Sequence, residues 1–151
     1  MLAGMARFPG TETHGNRAGL RPGDGVRCRR SRANADAGIA DRRGIVCEVR
    51  LDNARVAFTA DGAGAWLPNA SLLPEPDPRD PALALLGRIL HALRAERAEF
   101  EDGTLIVFGG ELPATAVDDV RRLLGDRLLG CTLAPAGVHE IATHLHLASL
   151  T

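Results

Sequence analysis

Apolar and polar side chains alternate in short runs along the first half of the chain, and turn residues separate these runs. Alternation with a period of two is typical of strands that bury one face. Turns follow each other closely at 21–25, 52–53 and 61–62, a spacing that indicates a small antiparallel sheet or barrel. The strand-like runs are 26–29, 44–51, 54–59 and 65–68.

The second half shows a different period. Asp80 and Pro81 fit the N-cap and the first position of a helix, and apolar residues then recur at helical spacing, which predicts a helix over 81–100. A buried-type strand at 104–108, a helix at 113–124 and strands at 128–134 and 138–148 follow. The pattern predicts an α-β-α-β-β unit at the end of the chain.

Prolines separate these two patterns. Four of them fall within 74–81, which disfavours helix and is typical of a stiff linker. We therefore expect an α+β protein with a flexible N-terminal arm, a barrel, a Pro-rich linker and the α-β-α-β-β unit. Their expected ranges are 1–21, 22–74, 75–80 and 81–151.

The motifs of the first half, taken in order, resemble the SH3-like small barrels, a group that includes Tudor and KOW modules. The resemblance covers about residues 20–75 and implies an SH3-like antiparallel β-barrel that binds peptides, RNA or partner subunits. Trp66 and Phe58 are its only aromatic residues, too few for the cage that reads methylated Lys or Arg. The motifs are Gly23-Asp24-x-Val26, Gly44-Ile45-Val46-x-x-Val49, Arg55-Val56-x-Phe58, Asp61-Gly62, Trp66-Leu67-Pro68 and Leu72-Leu73-Pro74.

Composition narrows the function classes. All 18 basic residues are arginine, which GC-rich codon usage explains and selection for guanidinium chemistry would also produce. The net charge is −1, so the whole protein is not a polyelectrolyte binder, but basic residues are in excess before residue 56 and acidic residues after it. Three scattered cysteines, no apolar run of membrane-spanning length and no signal-peptide pattern predict a soluble cytoplasmic protein with reduced thiols.

An arginine cluster is the strongest candidate site. Clustered guanidinium groups bind carboxylates or phosphates through paired hydrogen bonds. Either an acidic protein partner or nucleic acid would suit such a patch, although nucleic-acid binding also favours stacking aromatics, which are scarce here. The chain's own acidic helix is a third possible partner, through Glu96, Glu99, Glu101 and Asp102. The predicted partner-binding residues are Arg27, Arg29, Arg30, Arg32, Arg42, Arg43 and Trp66.

Catalytic and cofactor signals are weak by comparison. On a strand, His144 and His146 share one face and suit a metal with a third ligand from His91 or Asp119, but the same pattern fits the polar face of an amphipathic strand. Cys131 could pair with a histidine as a nucleophile, yet a small core cysteine explains it better. Phosphate-loop and dinucleotide motifs are absent from the sequence.

These observations favour a non-enzymatic binding or assembly protein, an adaptor or accessory subunit that acts through the barrel surface and its arginine-rich loop. We expect no cofactor and no membrane, with an acidic protein or a larger complex as partner. The alternatives are a nucleic-acid-binding module that uses the same arginines and a metal-dependent enzyme or metal-handling protein at His144 and His146. An edge strand at 138–148 would also allow a homodimer.

Overall fold

The computed structural model describes residues 15–59, 64–101, 104–109, 115–124, 128–133 and 138–143. The described helices are α1 (Arg32–Asp36), α2 (Pro81–Ala92) and α3 (Ala116–Leu124). None of them is long and apolar enough to span a bilayer. The strands are β1 (Gly25–Cys28), β2 (Arg43–Val49), β3 (Asn53–Ala57), β4 (Ala65–Pro68), β5 (Leu72–Pro74), β6 (Ala95–Glu101), β7 (Thr104–Gly109), β8 (Leu128–Leu133) and β9 (Val138–Thr143).

All the strand pairs are antiparallel and belong to one sheet. Seven strands follow the order β4-β3-β2-β6-β7-β9-β8, and β1 lies off this path, where it pairs with both β2 and β5. Helices accompany this antiparallel sheet, so the predicted α+β class agrees with the structure.

The predicted SH3-like barrel is not confirmed, because the sheet does not close. β5 pairs with β1, and β4 pairs with β3, but no pairing joins β4 to β5 among the described residues. A register shift between Val46 and Glu48 bends β2, and a 3₁₀ turn at Asn69–Ser71 connects β4 to β5.

The central strand β2 separates two apolar clusters. Because side chains alternate along a strand, Ile45 and Cys47 pack with α2, β6 and β7, whereas Val46 packs with β1 and β3. Strict alternation would place Val49 with Ile45 and Cys47, but the register shift between Val46 and Glu48 brings it to the side of Val46. β2 also pairs with β6, with Glu48 opposite Arg97. The segments predicted as separate units thus share one sheet, and the cluster around α2 includes side chains from both.

The helix predicted over 81–100 ends early, and this prediction is wrong. α2 ends at Ala92, Arg94 adopts a φ of 51°, and residues 95–101 form β6 instead. Ala95 and Ala98 are buried where β6 lies between β2 and β7, so strand pairing overrides the helix propensity of this segment. The C-terminal order is therefore α-β-β-α-β-β rather than α-β-α-β-β.

Two other segments differ from expectation. β9 lies between β7 and β8, so the described part of the predicted edge strand 138–148 is paired on both sides. The end of the predicted N-terminal arm is held against the β2–β3 turn, because the Arg17 amide donates to Leu51 O at 2.8 Å and Asn16 Nδ2 donates to Arg50 O at 2.9 Å. Residues 1–14 and 144–151 lie outside the described residues.

Candidate functional site

An arginine-lined groove of about 840 Å³ runs beside β1. Three parts of the chain form it: β1 with the residues that lead into α1, the start of β2, and the segment that follows β5. Four of the predicted binding residues, Arg27, Arg29, Arg30 and Arg43, come together there, and Arg32, Arg42 and Trp66 do not line it. The full lining is Arg27, Arg29, Arg30, Ser31, Asp41, Arg43, Leu73, Glu75 and Arg79.

Strand register places Arg27 at the centre of the groove. Its neighbours in β1, Val26 and Cys28, are fully buried, so Arg27 points to the opposite face. Across the sheet, Arg27 faces Arg43 of β2 on one side and Leu73 of β5 on the other. Two like charges directly opposite each other are unfavourable, and this pair therefore needs a compensating anion.

Glu75 supplies one compensating charge. Its Oε1 atom lies 3.7 Å from Arg27 Nε and 3.4 Å from Arg43 Nη2. The backbone holds Glu75 in place, because its amide donates to Gly25 O at 2.9 Å and so extends the β1–β5 pairing. One carboxylate thus separates the two facing guanidinium groups.

Asp41 supplies the second compensating charge. Its Oδ1 atom accepts from Arg27 Nη1 at 3.0 Å, and its Oδ2 atom accepts from Arg30 Nε at 2.7 Å. Asp41 has a φ of 66° and its amide donates to Cys28 O at 3.0 Å. Aspartate tolerates this left-handed conformation better than most residues.

Arg79 also lines the groove, and like Asp41 it has a positive φ, of 67°. Its amide donates to Asp77 Oδ1 at 2.8 Å, which stabilises the turn that carries it. Non-glycine residues at positive φ concentrate at functional sites. Two of the three that the structure describes, Asp41 and Arg79, lie in this groove.

The groove retains a surplus of positive charge. Five arginines and two carboxylates line it, which leaves three positive charges unbalanced. Within the described residues, the guanidinium groups of Arg29 and Arg79 have no acceptor, and the buried Nε of Arg43 has none either. Of these, the exposed guanidinium groups of Arg29 and Arg79 have donors available for an external anion.

Helix α1 fixes the wall that carries Arg29 and Arg30. Ser31 caps the helix by accepting from the Asn34 amide at 3.1 Å. The buried Asn34 side chain donates to Arg29 O at 3.0 Å and to Ser71 O at 3.2 Å, and the Arg29 amide donates to Ser71 O at 2.8 Å. These bonds connect the arginine-bearing turn to the 3₁₀ turn before β5.

The other predicted residues lie elsewhere. Arg42 stacks over Phe58 with its guanidinium carbon 4.4 Å from the ring centroid, and Arg50 stacks over Trp66 at 4.0 Å. Each aromatic ring thus has a face covered by a cation from the same chain. Arg32 is exposed at the start of α1.

A second cavity of about 600 Å³ lies between the 18–25 segment, the prolines after β5 and α2. His91 Nε2 lies 2.9 Å from Asp24 Oδ1 at its edge. Gly23 has a φ of +100°, and a Cβ there would lie 2.5 Å from the His91 ring. Its mostly apolar lining does not include the predicted arginines.

No metal-ligand grouping occurs among the described residues. His144 and His146 lie outside them, so the predicted metal site stays a prediction. Two of the three cysteines are buried free thiols. Burial raises the pKa of Cys28, an effect that Arg42 partly offsets, and raises the pKa of Cys47 to about 11. Both are therefore protonated near neutral pH and lack nucleophilic thiolate character.

No family model, no curated protein and no solved structure matches this chain. Sequence reasoning missed Asp41, Glu75 and Arg79, which come from two segments that strand pairing brings to Arg27. The sequence around Glu75 and Arg79 was interpreted as a Pro-rich linker, and the strand register that joins these segments is not a local signal.

Proposed function

We propose that this protein is a non-enzymatic binding or assembly module that holds an acidic segment of a partner protein in the arginine-lined groove. The single observation that carries the proposal is the composition of the groove: five arginines, only two carboxylates, and two guanidinium groups that have no acceptor among the described residues. Guanidinium groups bind carboxylates through two parallel hydrogen bonds. An acidic segment would complete the ion pairs that Arg29 and Arg79 lack.

Strand arrangement supports a binding role. β1 pairs with both β2 and β5, and a 3₁₀ turn precedes β5, an arrangement in keeping with the SH3-like interpretation of residues 22–74. Proteins with that type of barrel bind peptides, RNA or partner subunits, so the interpretation favours recognition over catalysis. Fold alone does not assign a ligand, and the groove chemistry selects among these partners.

The groove favours an acidic protein segment over nucleic acid for two reasons. Single-stranded nucleic acid binds best where aromatic rings offer open faces for its bases, but the groove has no aromatic lining residue, and Phe58 and Trp66 each already stack with an arginine. In addition, Leu73 gives the groove an apolar contact that suits a peptide side chain better than a sugar-phosphate backbone.

Two defined probes test the proposal: a fluorescent twelve-residue peptide of alternating Glu and Asp, and a fluorescent 20-nucleotide single strand, both followed by anisotropy. We expect the wild type to bind the peptide more tightly than the oligonucleotide at 0.15 M salt. Replacing Arg29 and Arg79 with alanine should weaken peptide binding by a factor of about 100, since each charge-assisted pair contributes about 1.4 kcal/mol or more.

A matched control changes the same charge elsewhere. The variant Arg32→Ala with Arg121→Ala also removes two exposed arginines, neither of which lines the groove, and should weaken peptide binding less than threefold. Equal losses in both variants would mean that binding follows net charge and not the groove. Preferential binding of the oligonucleotide, with an affinity that falls steeply as salt rises, would instead establish the nucleic-acid alternative.

A further inference from the structure

We infer that the groove selects carboxylates over phosphates, and that Asp41 and Glu75 are the residues that determine this specificity. The inference rests on the proposed function and identifies the chemical group of the partner that the groove takes. Both anions are natural ligands of arginine. The difference lies in the negative charges that the groove itself contains.

The internal acids already form ion pairs with Arg27, Arg30 and Arg43. Asp41 uses one oxygen for Arg27 and the other for Arg30, at 3.0 and 2.7 Å. Arg27 and Arg43 also share Glu75. A phosphate group, which has three acceptor oxygens, binds best where several uncommitted cations converge, and this cluster does not offer them.

The guanidinium donors that have no acceptor suit a ligand group of smaller charge than a phosphate. Arg29 and Arg79 lack acceptors among the described residues and come from different walls of the groove. One planar guanidinium group matches one carboxylate through two parallel hydrogen bonds. Two carboxylates of an acidic peptide, one for each arginine, therefore satisfy these donors without displacing Asp41 or Glu75.

Repulsion from the internal acids opposes the attraction that the arginines exert on a phosphate. Coulomb energy scales with the charge of the ligand, and a phosphate monoester carries a charge of about −1.5 to −2 near neutral pH, against −1 for a carboxylate. Asp41 has a short side chain, its backbone amide bonds to Cys28 O, and both its oxygens are engaged. This carboxylate is thus held in the groove. It repels a dianion about twice as strongly as a monoanion and so offsets part of the dianion's stronger attraction to the arginines, which leaves the choice between the two anions to the donors that lack acceptors.

Two peptides that differ only in their acidic groups test the inference. Both have twelve residues and the same neutral spacers, and they carry either four glutamates or four phosphoserines. Fluorescence anisotropy at pH 7.5 and 0.15 M salt gives their affinities. We expect the wild type to bind the glutamate peptide at least about fivefold more tightly, although the phosphopeptide has nearly twice its charge.

Neutral isosteres should reverse this preference. Asp41→Asn removes the charge and keeps a residue that accepts a positive φ, and Glu75→Gln does the same at the second acid. In each variant, affinity for the phosphopeptide should rise about tenfold, and affinity for the glutamate peptide should change much less. Asp36→Asn is the matched control, because Asp36 is an exposed acid of α1 that does not line the groove. It should leave the ratio of affinities unchanged.

The outcomes separate the two proposals. If the wild type binds neither peptide, the proposed function fails and the specificity with it. If it binds both equally, or prefers the phosphopeptide, the inference fails while the groove remains a binding site. The inference would also be overturned if the ratio of the two affinities stayed unchanged in both Asp41→Asn and Glu75→Gln. It would be overturned as well if these variants folded but bound neither peptide, since the acids would then only position the arginines.

Discussion

Leu90 lies at the junction between the two halves of the sequence, and the substitution Leu90→Ala tests whether they fold as one. Its side chain is 0 % exposed, and it belongs to the cluster that joins α2 and β7 to Ile45 and Cys47 of β2. Truncation opens a cavity in a cluster whose side chains come from both sides of the predicted linker. If the shared cluster holds the molecule together, the N-terminal strands lose stability along with the helix that carries the substitution.

The magnitude follows from the burial of Leu90. A leucine-to-alanine change at a fully buried position costs about 3 kcal/mol, because the transfer free energy of the lost carbons adds to the cost of the cavity. With a denaturant dependence of about 2 kcal/mol per molar urea, the unfolding midpoint should fall by about 1.5 M. Arg88→Ala on the exposed side of the same helix should change the midpoint by less than about 0.3 M.

Two probes report on the two halves in the same titration. Trp66 is the only tryptophan and lies in β4, so its fluorescence follows the N-terminal strands. Far-ultraviolet circular dichroism follows all the helices and strands. Both midpoints should shift together in Leu90→Ala. If the Trp66 midpoint stays at its wild-type value while the circular dichroism midpoint falls, the halves unfold independently, and the shared cluster does not couple them.

Three further predictions concern single positions. Asp80→Ala should lower the free energy of unfolding by about 1 kcal/mol, because Asp80 Oδ1 accepts from the Ala82 amide at the start of α2; Asp80→Asn, which keeps the cap, should restore most of it in thermal melts. Gly23→Ala should lower the free energy of unfolding by several kcal/mol, because Gly23 has a φ of +100° and an added Cβ would lie 2.5 Å from His91 Cδ2 and 2.9 Å from Gly87 O. Gly38→Ala is the control. Gly38 has a φ of +75° and open space around an added Cβ, so this change should lower the free energy of unfolding by only about 1 kcal/mol. Burial raises the pKa of Cys47 from 9.0 to about 11, so the unfolded thiol ionises first as pH rises, and the stability that the neutral buried thiol contributes is lost between about pH 9 and 11. Urea titrations across that range should show a steeper loss for wild type than for Cys47→Ala, and parallel losses would contradict this assignment.

The elements of the first half could be predicted because their signals are local. Alternating side chains and turn residues located β2, β3 and β4 to within a few residues, and Asp80-Pro81 marked the start of α2. The end of α2 was predicted wrongly because Ala95–Glu101 has good helix formers, and only its pairing with β7 and β2 makes it a strand. Such pairing is a property of the whole sheet.

The candidate site, too, could be predicted only where its signals are local. A run of arginines near β1 was visible in the sequence, and the alternation in β1 predicts that Arg27 and Arg29 share a face. The β1–β2 register places Arg27 opposite Arg43, and the β1–β5 register brings Glu75 to both. Neither register has a signal in the residues themselves, so the two internal acids that give the groove its chemistry could not be predicted.

The groove also bears on why the chain uses arginine alone. Arg27 faces two acids through different nitrogens, Nη1 toward Asp41 and Nε toward Glu75. A lysine at this position has a single ammonium group and cannot reproduce two separated donors in one plane. Since Arg27 also faces Arg43 directly, the loss of the Glu75 ion pair leaves two like charges opposed across β1 and β2. At this position the geometry of the two ion pairs favours a guanidinium group over an ammonium group.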